Sequence, residues 1–309
     1  MSIERVLIVG SGAMATFFAS RLAANGLAVT MLGNWPAGLR ALKKNGACIS
    51  QGADRQTECY PVRVVDSPEE CQGAEWAMVM VKAWQTERAA QQLSTCLAVD
   101  GMALTLQNGL GNLEILQNTL GVNRVAIGIT TLGARLIKPG LVYSANAGTI
   151  IVEANPKLTP LEKVFRSAPF ELEIRENINT MIWQKLAINV SINPITALLG
   201  VPNGALLTNT SASALMLAAG REVVDVARSS GFNLDHQETE KRIREVAFLT
   251  RENHSSMLQD IERGMQTEID AMCGAVCRTG QDIGVPTPIN FTLWKLIEAK
   301  AAQPNSMDR

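Results

Sequence analysis

Lys185, Asn189 and Asn193 recur every four residues inside "WQKLAINVSIN", a stretch that otherwise reads as a buried apolar helix. On an ideal helix, at about 100° per residue, the asparagines fall about 40° and 80° round from the lysine. Ile178, Met181, Ile182 and Ile192 share that side, while Thr180, Gln184, Ala187 and Ser191 take the other. The polar column therefore lies within the apolar face. Burying an unpaired ammonium or amide is costly, and a polar ligand in a crevice between domains would satisfy all three groups. A lysine so placed tends toward a lowered pKa, which suits proton donation near neutral pH. The competing reading is a lysine that runs its stem out to solvent, with amides bonded to neighbouring helices. Pro194 removes a helix donor and disfavours helical geometry at Asn193, so a kink or break is expected there. Asn203 falls in the turn-forming "GVPNG" that closes the segment.

A second long helix is expected over 256–283. Read as continuous, it places Ile261, Met265, Ile269, Met272 and Val276 in one stripe with Glu268 at its edge, while Asp270 points away. A carboxylate there has two readings, orienting a lysine or cofactor group, or closing a salt bridge at the rim. Ser256 and Gln259 fit a capping box that starts this helix, and a hydroxyl at a helix N-terminus also suits a substrate carboxylate. The two roles compete for one oxygen, with Ser255 able to take either.

A phosphate-binding loop is the other chemistry-bearing motif. "VLIVGSGAMA" is an apolar strand, then Gly10-Ser11-Gly12-Ala13-Met14-Ala15, then a helix. The first glycine permits the tight turn, the second lets backbone approach a pyrophosphate, and a small third residue lets helix pack on strand. The helix N-terminus offers N–H groups to an anion. The ribose of such a cofactor is read after the second strand, where an acid favours NAD and an arginine NADP. Here Asn34 takes that place, with Arg40 a turn or two beyond. Lys82, at the end of "AMVMVK", could meet a phosphate or be an exposed strand-end cation. Asn108 in "LQNGLGN" is either a residue beside the cofactor or part of an Asn-Gly turn.

These residues need elements to hold them. "RVLIV", "LAVTMLG", "EWAMVMVK" and "GMALTLQNG" read as strands separated by helical patterns, which implies a parallel sheet with helices on both faces. "RVAIGITTLGA", "GLVYSAN" and "GTIIVEA" suggest antiparallel additions at the sheet edge. Helices follow over 178–199, 210–231, 236–251, 256–283 and 290–302. The expectation is an α/β Rossmann-type dinucleotide-binding domain over 1–172, followed by an all-α domain over 173–309.

Composition narrows the function classes. Of the 309 residues, 47% are hydrophobic, and the net charge is −1 with no basic cluster, which argues against a nucleic-acid partner. No apolar run approaches the length of a membrane span, and the N-terminus carries no leader pattern. Six scattered cysteines and two histidines argue against a zinc cluster, and the cysteines read as free thiols of a reducing cytoplasm. No oligomeric state is set, and a homodimer is compatible.

Together "GSGAMA", "KAWQT", "LQNGLGN", "WQKLAINVSINPITALLGVPNG" and "SSMLQDIERGMQTEID" make the chain resemble the ketopantoate reductase (2-dehydropantoate 2-reductase) family over nearly its whole length. The resemblance implies NADPH-dependent reduction of 2-dehydropantoate to (R)-pantoate, on the route to pantothenate and coenzyme A. It implies Lys185 as the general acid, with Glu268 associated with it. Asn189, Asn193, Asn203 and Ser256 match substrate-binding positions, and Lys82, Asn108 and Ala134 match cofactor-side positions. Members often carry arginine where this chain has Asn34, so NAD stays open beside NADP. Two alternatives remain: a reductase of a different branched 2-oxo acid, and a non-catalytic NAD(P)-binding regulatory protein.

Overall fold

The computed structural model describes residues 5–51, 56–144, 148–168 and 170–303. The chain divides into two compact units, Met1–Gln107 with Asn112–Ile178, and Asn108–Gly111 with Asn179–Arg309.

Among the described residues the first unit holds twelve strands: β1 (Arg5–Val9), β2 (Ala28–Leu32), β3 (Ala47–Gln51), β4 (Gln56–Tyr60), β5 (Arg63–Val65), β6 (Ala74–Val79), β7 (Leu97–Thr105), β8 (Val125–Thr130), β9 (Arg135–Lys138), β10 (Leu141–Tyr143), β11 (Thr149–Glu153) and β12 (Glu171–Arg175). Its helices are α1 (Ala13–Ala24), α2 (Pro36–Asn45), α3 (Thr86–Cys96), α4 (Asn112–Leu120) and α5 (Thr159–Ser167). Eight strands form one sheet in the order β12-β11-β8-β7-β6-β1-β2-β5. All neighbours in it run parallel except β8 and β11. Alternation along β1 feeds two cores: Val6 and Ile8 join Phe17, Phe18 and Phe165 on one face, while Leu7 and Val9 join Ala90, Leu93 and Leu116 on the other. Such double burial explains why these strands read as continuous apolar runs. From β1 the chain moves one way to β2 and later returns on the other side as β6, so the sheet's switch point lies between β1 and β6.

Three expectations change here. β12 pairs with β11 along its whole length, so the sheet unit extends through Ile178 instead of ending at residue 172. Of the three late stretches read as antiparallel edge additions, β8 continues the parallel run, β11 is antiparallel, and β10 joins a separate four-stranded sheet, β4-β3-β10-β9. Ala145 and Asn146, the end of the "GLVYSAN" stretch, lie outside the described residues. Cys48 and Cys59 face one another across the β3–β4 ladder and are joined as a disulfide, contrary to the free thiols expected. Cys71, Cys96, Cys273 and Cys277 are free.

The second unit is helical: α6 (Asn179–Leu199), α7 (Ala205–Thr208), α8 (Thr210–Ser229), α9 (His236–Leu249), α10 (Ser256–Glu262), α11 (Ala275–Ile283) and α12 (Pro288–Ala301). Its core gathers Trp183, Leu186, Val190, Met216, Val223, Ile243 and Leu293. The carboxylate of Glu222 on α8 accepts hydrogen bonds from the backbone N–H groups of Ile289 and Asn290 at 2.8 Å, which satisfies orphan donors at the start of α12. Among the described residues no helix is long and apolar enough to cross a membrane.

Candidate active site

Gly10 leaves β1 with φ +134°, a conformation that favours glycine, and a Cβ there would stand 2.8 Å from the carbonyl oxygen of Met80. Its N–H donates to Leu32 O at 2.8 Å, and the Met80 N–H donates to Val9 O at 2.9 Å, so the turn is stitched between the ends of β2 and β6. Ser11 is buried against Gly33, where an added Cβ would come within 2.9 Å of its Oγ. Gly12 differs. Its φ is −82°, and a Cβ added there would meet nothing within 4 Å. The protein's own packing does not require glycine at that position. The first turn of α1 carries no acid and no side-chain cap, so its N–H groups, around Ala13 and Met14, are left for an outside acceptor. Ala15 is fully buried beneath the turn. The open flank at Gly12 and the uncapped helix together fit a dinucleotide's pyrophosphate.

Lys82 stands three residues beyond the end of β6 and immediately precedes a 3-10 turn, Ala83–Gln85, that leads into α3. Behind it a buried polar chain sets the loop. The Thr86 hydroxyl donates to Asn112 Oδ1 at 2.7 Å and accepts from Gln107 Nε2 at 2.9 Å, and Gln107 Nε2 also donates to Val81 O. Ala134 directly precedes β9 and packs against the core that contains Phe17 and Phe18.

Asn108 does not extend the β7 strand, which ends at Thr105. It opens the Asn108–Gly111 loop, which belongs to the helical unit, where the Leu110 N–H donates to Ala271 O at 2.9 Å. Gly109 has φ +85°, and a Cβ there would come within 2.4 Å of the Ala271 carbonyl oxygen, so the Asn-Gly pair serves a close approach as well as a turn.

In the helical unit, Lys185, Met181, Ile182, Ile188 and Asn189 form a half-buried strip along α6. The opposite side, expected to be the outer one, is the better buried: Ala187 and Ser191 are fully enclosed where α6 crosses α8. A Cβ on Gly220 of α8 would approach Ser191 Oγ to 2.6 Å. Among the described residues, the side chains of Lys185, Asn189 and Asn193 make no hydrogen bond. Burial pulls the Lys185 ammonium down to about 8, and the Glu268 carboxylate pulls it back up.

Pro194 does not break α6, which runs through it unbroken to Leu199. Side-chain hydroxyls meet the carbonyls around it. Thr196 Oγ1 is 2.9 Å from Ile192 O, 3.0 Å from Asn193 O and 2.7 Å from Ser255 Oγ. The column thus keeps its register, with Asn193 buried at its inner end.

The helix expected over 256–283 is interrupted. α10 ends at Glu262, a non-helical stretch follows, and Asp270–Gly274 forms a π-helical turn ahead of α11. Glu268 lies in the bend before that turn, 7% exposed, so its approach to Lys185 comes from loop geometry and not from a helix edge. Met265, placed in the stripe by the continuous wheel, is 49% exposed. Asp270 is exposed and paired with Arg278 at 2.8 Å. Ser255, not Ser256, caps α10, accepting the Leu258 N–H at 3.1 Å. Ser256 is exposed on the first turn, and its hydroxyl is left out of the cap. Asn203 is buried, its Nδ2 donating to Thr250 at 2.9 Å while its Oδ1 has no partner among the described residues.

Both halves match known family models: residues 6–157 match "Ketopantoate reductase PanE/ApbA" and residues 177–301 match its C-terminal model. The chain is 33% identical to a 2-dehydropantoate 2-reductase of Archaeoglobus fulgidus, over 96% of this chain and 98% of the relative.

The chain belongs to the ketopantoate reductase family.

Another family member, from Halobacterium salinarum, is 32% identical over 95% of this chain and 97% of its own length. A PanE/ApbA family ketopantoate reductase from Ralstonia eutropha JMP134 superposes with a TM-score of 0.89 at 28% identity, covering 96% of this chain and 98% of that one. D-mandelate dehydrogenase, solved with NADH and anilino(oxo)acetate, superposes with a TM-score of 0.90 at 24% identity over 96% and 98% of the two chains, a likeness of fold.

Proposed function

We propose that the protein reduces 2-dehydropantoate to (R)-pantoate with NADPH. The observation that carries this reading is the trio Lys185, Asn189 and Asn193 on one helix of the second unit, whose side chains make no hydrogen bond among the described residues, in a chain whose first unit carries a dinucleotide-type glycine turn. Family membership supports the substrate class.

When bound, the reduced nicotinamide supplies hydride to the ketone carbon. The backbone of Gly10–Ala15 and the cation of Lys82 in the first unit would hold that cofactor, and Asn108 and Ala134 would serve its nicotinamide end. Lys185 Nζ donates its proton to the ketone oxygen as negative charge develops there. Its lowered pKa, about 8, makes it a better acid than an ordinary lysine while leaving it mostly protonated at neutral pH. Glu268 keeps the ammonium from losing its proton prematurely. Asn189 and Asn193 offer amide groups to the hydroxyl and carbonyl oxygens, and Ser256 and Asn203 fix the carboxylate end. Positioning and general acid catalysis suffice for this set.

Steady-state kinetics with purified protein test the reading. 2-Dehydropantoate with NADPH should give the highest kcat/KM among branched 2-oxo acids and both nicotinamide cofactors. Better turnover of another 2-oxo acid would move the substrate assignment, and no turnover of any would leave a nucleotide-binding regulator.

A further inference from the structure

The residue after the second strand of a dinucleotide fold reads the adenosine ribose, and an arginine there accommodates a 2′-phosphate. In this chain that place is taken by Leu32-Gly33-Asn34-Trp35, which carries no charge, and the first turn of α2 has no acid. A cation arrives from elsewhere. Arg88, on the first turn of α3 and 54 residues further along, donates from Nη2 to Asn34 Oδ1 at 2.9 Å.

Arg88 is incompletely used by the protein. Its Nε is buried without a hydrogen-bond partner, and among the described residues no carboxylate lies within ion-pair distance of its guanidinium. An arginine has five N–H donors in a planar fork suited to phosphate oxygens. One is spent on Asn34, which fixes the plane of the fork and leaves the Asn34 Nδ2 as a further donor. Asn34 is exposed, so the pair is open to a ligand from solvent. Arg40, the nearer arginine in sequence, is an exposed residue of α2 that makes no hydrogen bond to Asn34.

We propose that Arg88, positioned by Asn34, recognises the 2′-phosphate of the cofactor's adenosine ribose and sets the preference for NADPH over NADH. This rests on the proposed dinucleotide site in the first unit. An arginine carried on α3 replaces one that would otherwise follow β2. The absence of an acid after β2 acts in the same direction, since NADH's free 2′-hydroxyl finds no carboxylate there.

Equilibrium binding to the apoprotein tests this without turnover. Kd is measured by calorimetry for NADPH, NADH, 2′,5′-ADP and 5′-ADP, on wild type, Arg88→Gln, Arg88→Lys and Arg40→Gln. The expected result is a loss of about 10- to 100-fold for NADPH and 2′,5′-ADP in Arg88→Gln, the scale of a charge-assisted hydrogen bond. NADH and 5′-ADP should be unaffected, Arg88→Lys should restore part of the loss, and Arg40→Gln should resemble wild type. Equal losses for all four ligands would overturn the proposal, leaving Arg88 as a tie between α3 and β2. So would unchanged NADPH binding in Arg88→Gln, or the loss appearing in Arg40→Gln. Failure of the wild type to bind any of the four would overturn the dinucleotide site itself.

Discussion

Glu268 acts on Lys185 from a non-helical bend: its carboxylate favours the charged ammonium that burial disfavours, and the balance leaves Lys185 at about 8. The family reductase reading makes this balance functional, because the acid must be charged before hydride arrives and must let go during transfer. A general acid works only while protonated, so activity should hold below pH 8 and fall about tenfold per unit above it. Glu268→Gln removes the group that raises the lysine, so the alkaline limb of kcat should move to lower pH. An unmoved limb in the variant's pH profile would separate Glu268 from the lysine's chemistry.

The same shift makes a prediction about stability. Lys185 is lowered from 10.5 to about 8 in the folded state. Below pH 8 both states hold the proton, and the buried charge costs stability in full. Between pH 8 and 10.5 the unfolded chain binds the proton while the folded one does not, so this group's contribution rises with pH. The gain is about 3 kcal/mol across that window. Denaturant titrations of wild type minus Lys185→Met should show this positive slope between pH 8 and 10.5; a flat difference would contradict the buried, destabilised ammonium.

The two glycines of the turn should fail in different ways. Gly10→Ala forces a Cβ against the Met80 carbonyl at a positive φ, so the melting temperature should drop. Gly12→Ala adds a Cβ that meets nothing within 4 Å of the protein, so it should melt close to wild type yet weaken dinucleotide binding. Thermal melts alongside a Kd for NADPH decide between the two behaviours. Wild-type binding in Gly12→Ala would mean that the open flank does not face the cofactor.

Asn193 lies at the buried end of the column, and the proposed function gives it no part in the proton step. Its truncation to Ala should chiefly raise KM for 2-dehydropantoate, by about tenfold for one lost hydrogen bond to a charged or strongly polar substrate. A fall in kcat with KM unchanged would assign Asn193 to the transition state instead.

Local pattern revealed the parts of this molecule that local pattern determines. β1, β2, β6 and β7 are buried on both faces and announce themselves as apolar runs, and α6, α8, α9 and α12 carry periodicity over three or more turns. β3 and β4 are hard to read because "ACISQ" and "QTECY" lack a β-branched apolar run, most of β4 being exposed, and β5, "RVV", is only three residues long. The break after Glu262 leaves little trace in the sequence, because Arg263-Gly264 is a mild stop signal inside an otherwise apolar repeat. Glu268 was reached by a wheel that does not exist there, and its closeness to Lys185 belongs to tertiary structure. Pro194 points the other way: the sequence implies a kink or break, whereas α6 continues through it to Leu199. Arg88 gave no sequence signal, because a side chain arriving from 54 residues away leaves no spacing to read.

The central claim is that Lys185 delivers the proton, and single-turnover oxidation of NADPH by Lys185→Ala tests it most directly. With saturating 2-dehydropantoate at pH 7, the account predicts a rate about 10²- to 10⁴-fold below wild type, with the Kd for NADPH unchanged. A hydride-transfer rate near that of wild type in Lys185→Ala would contradict it.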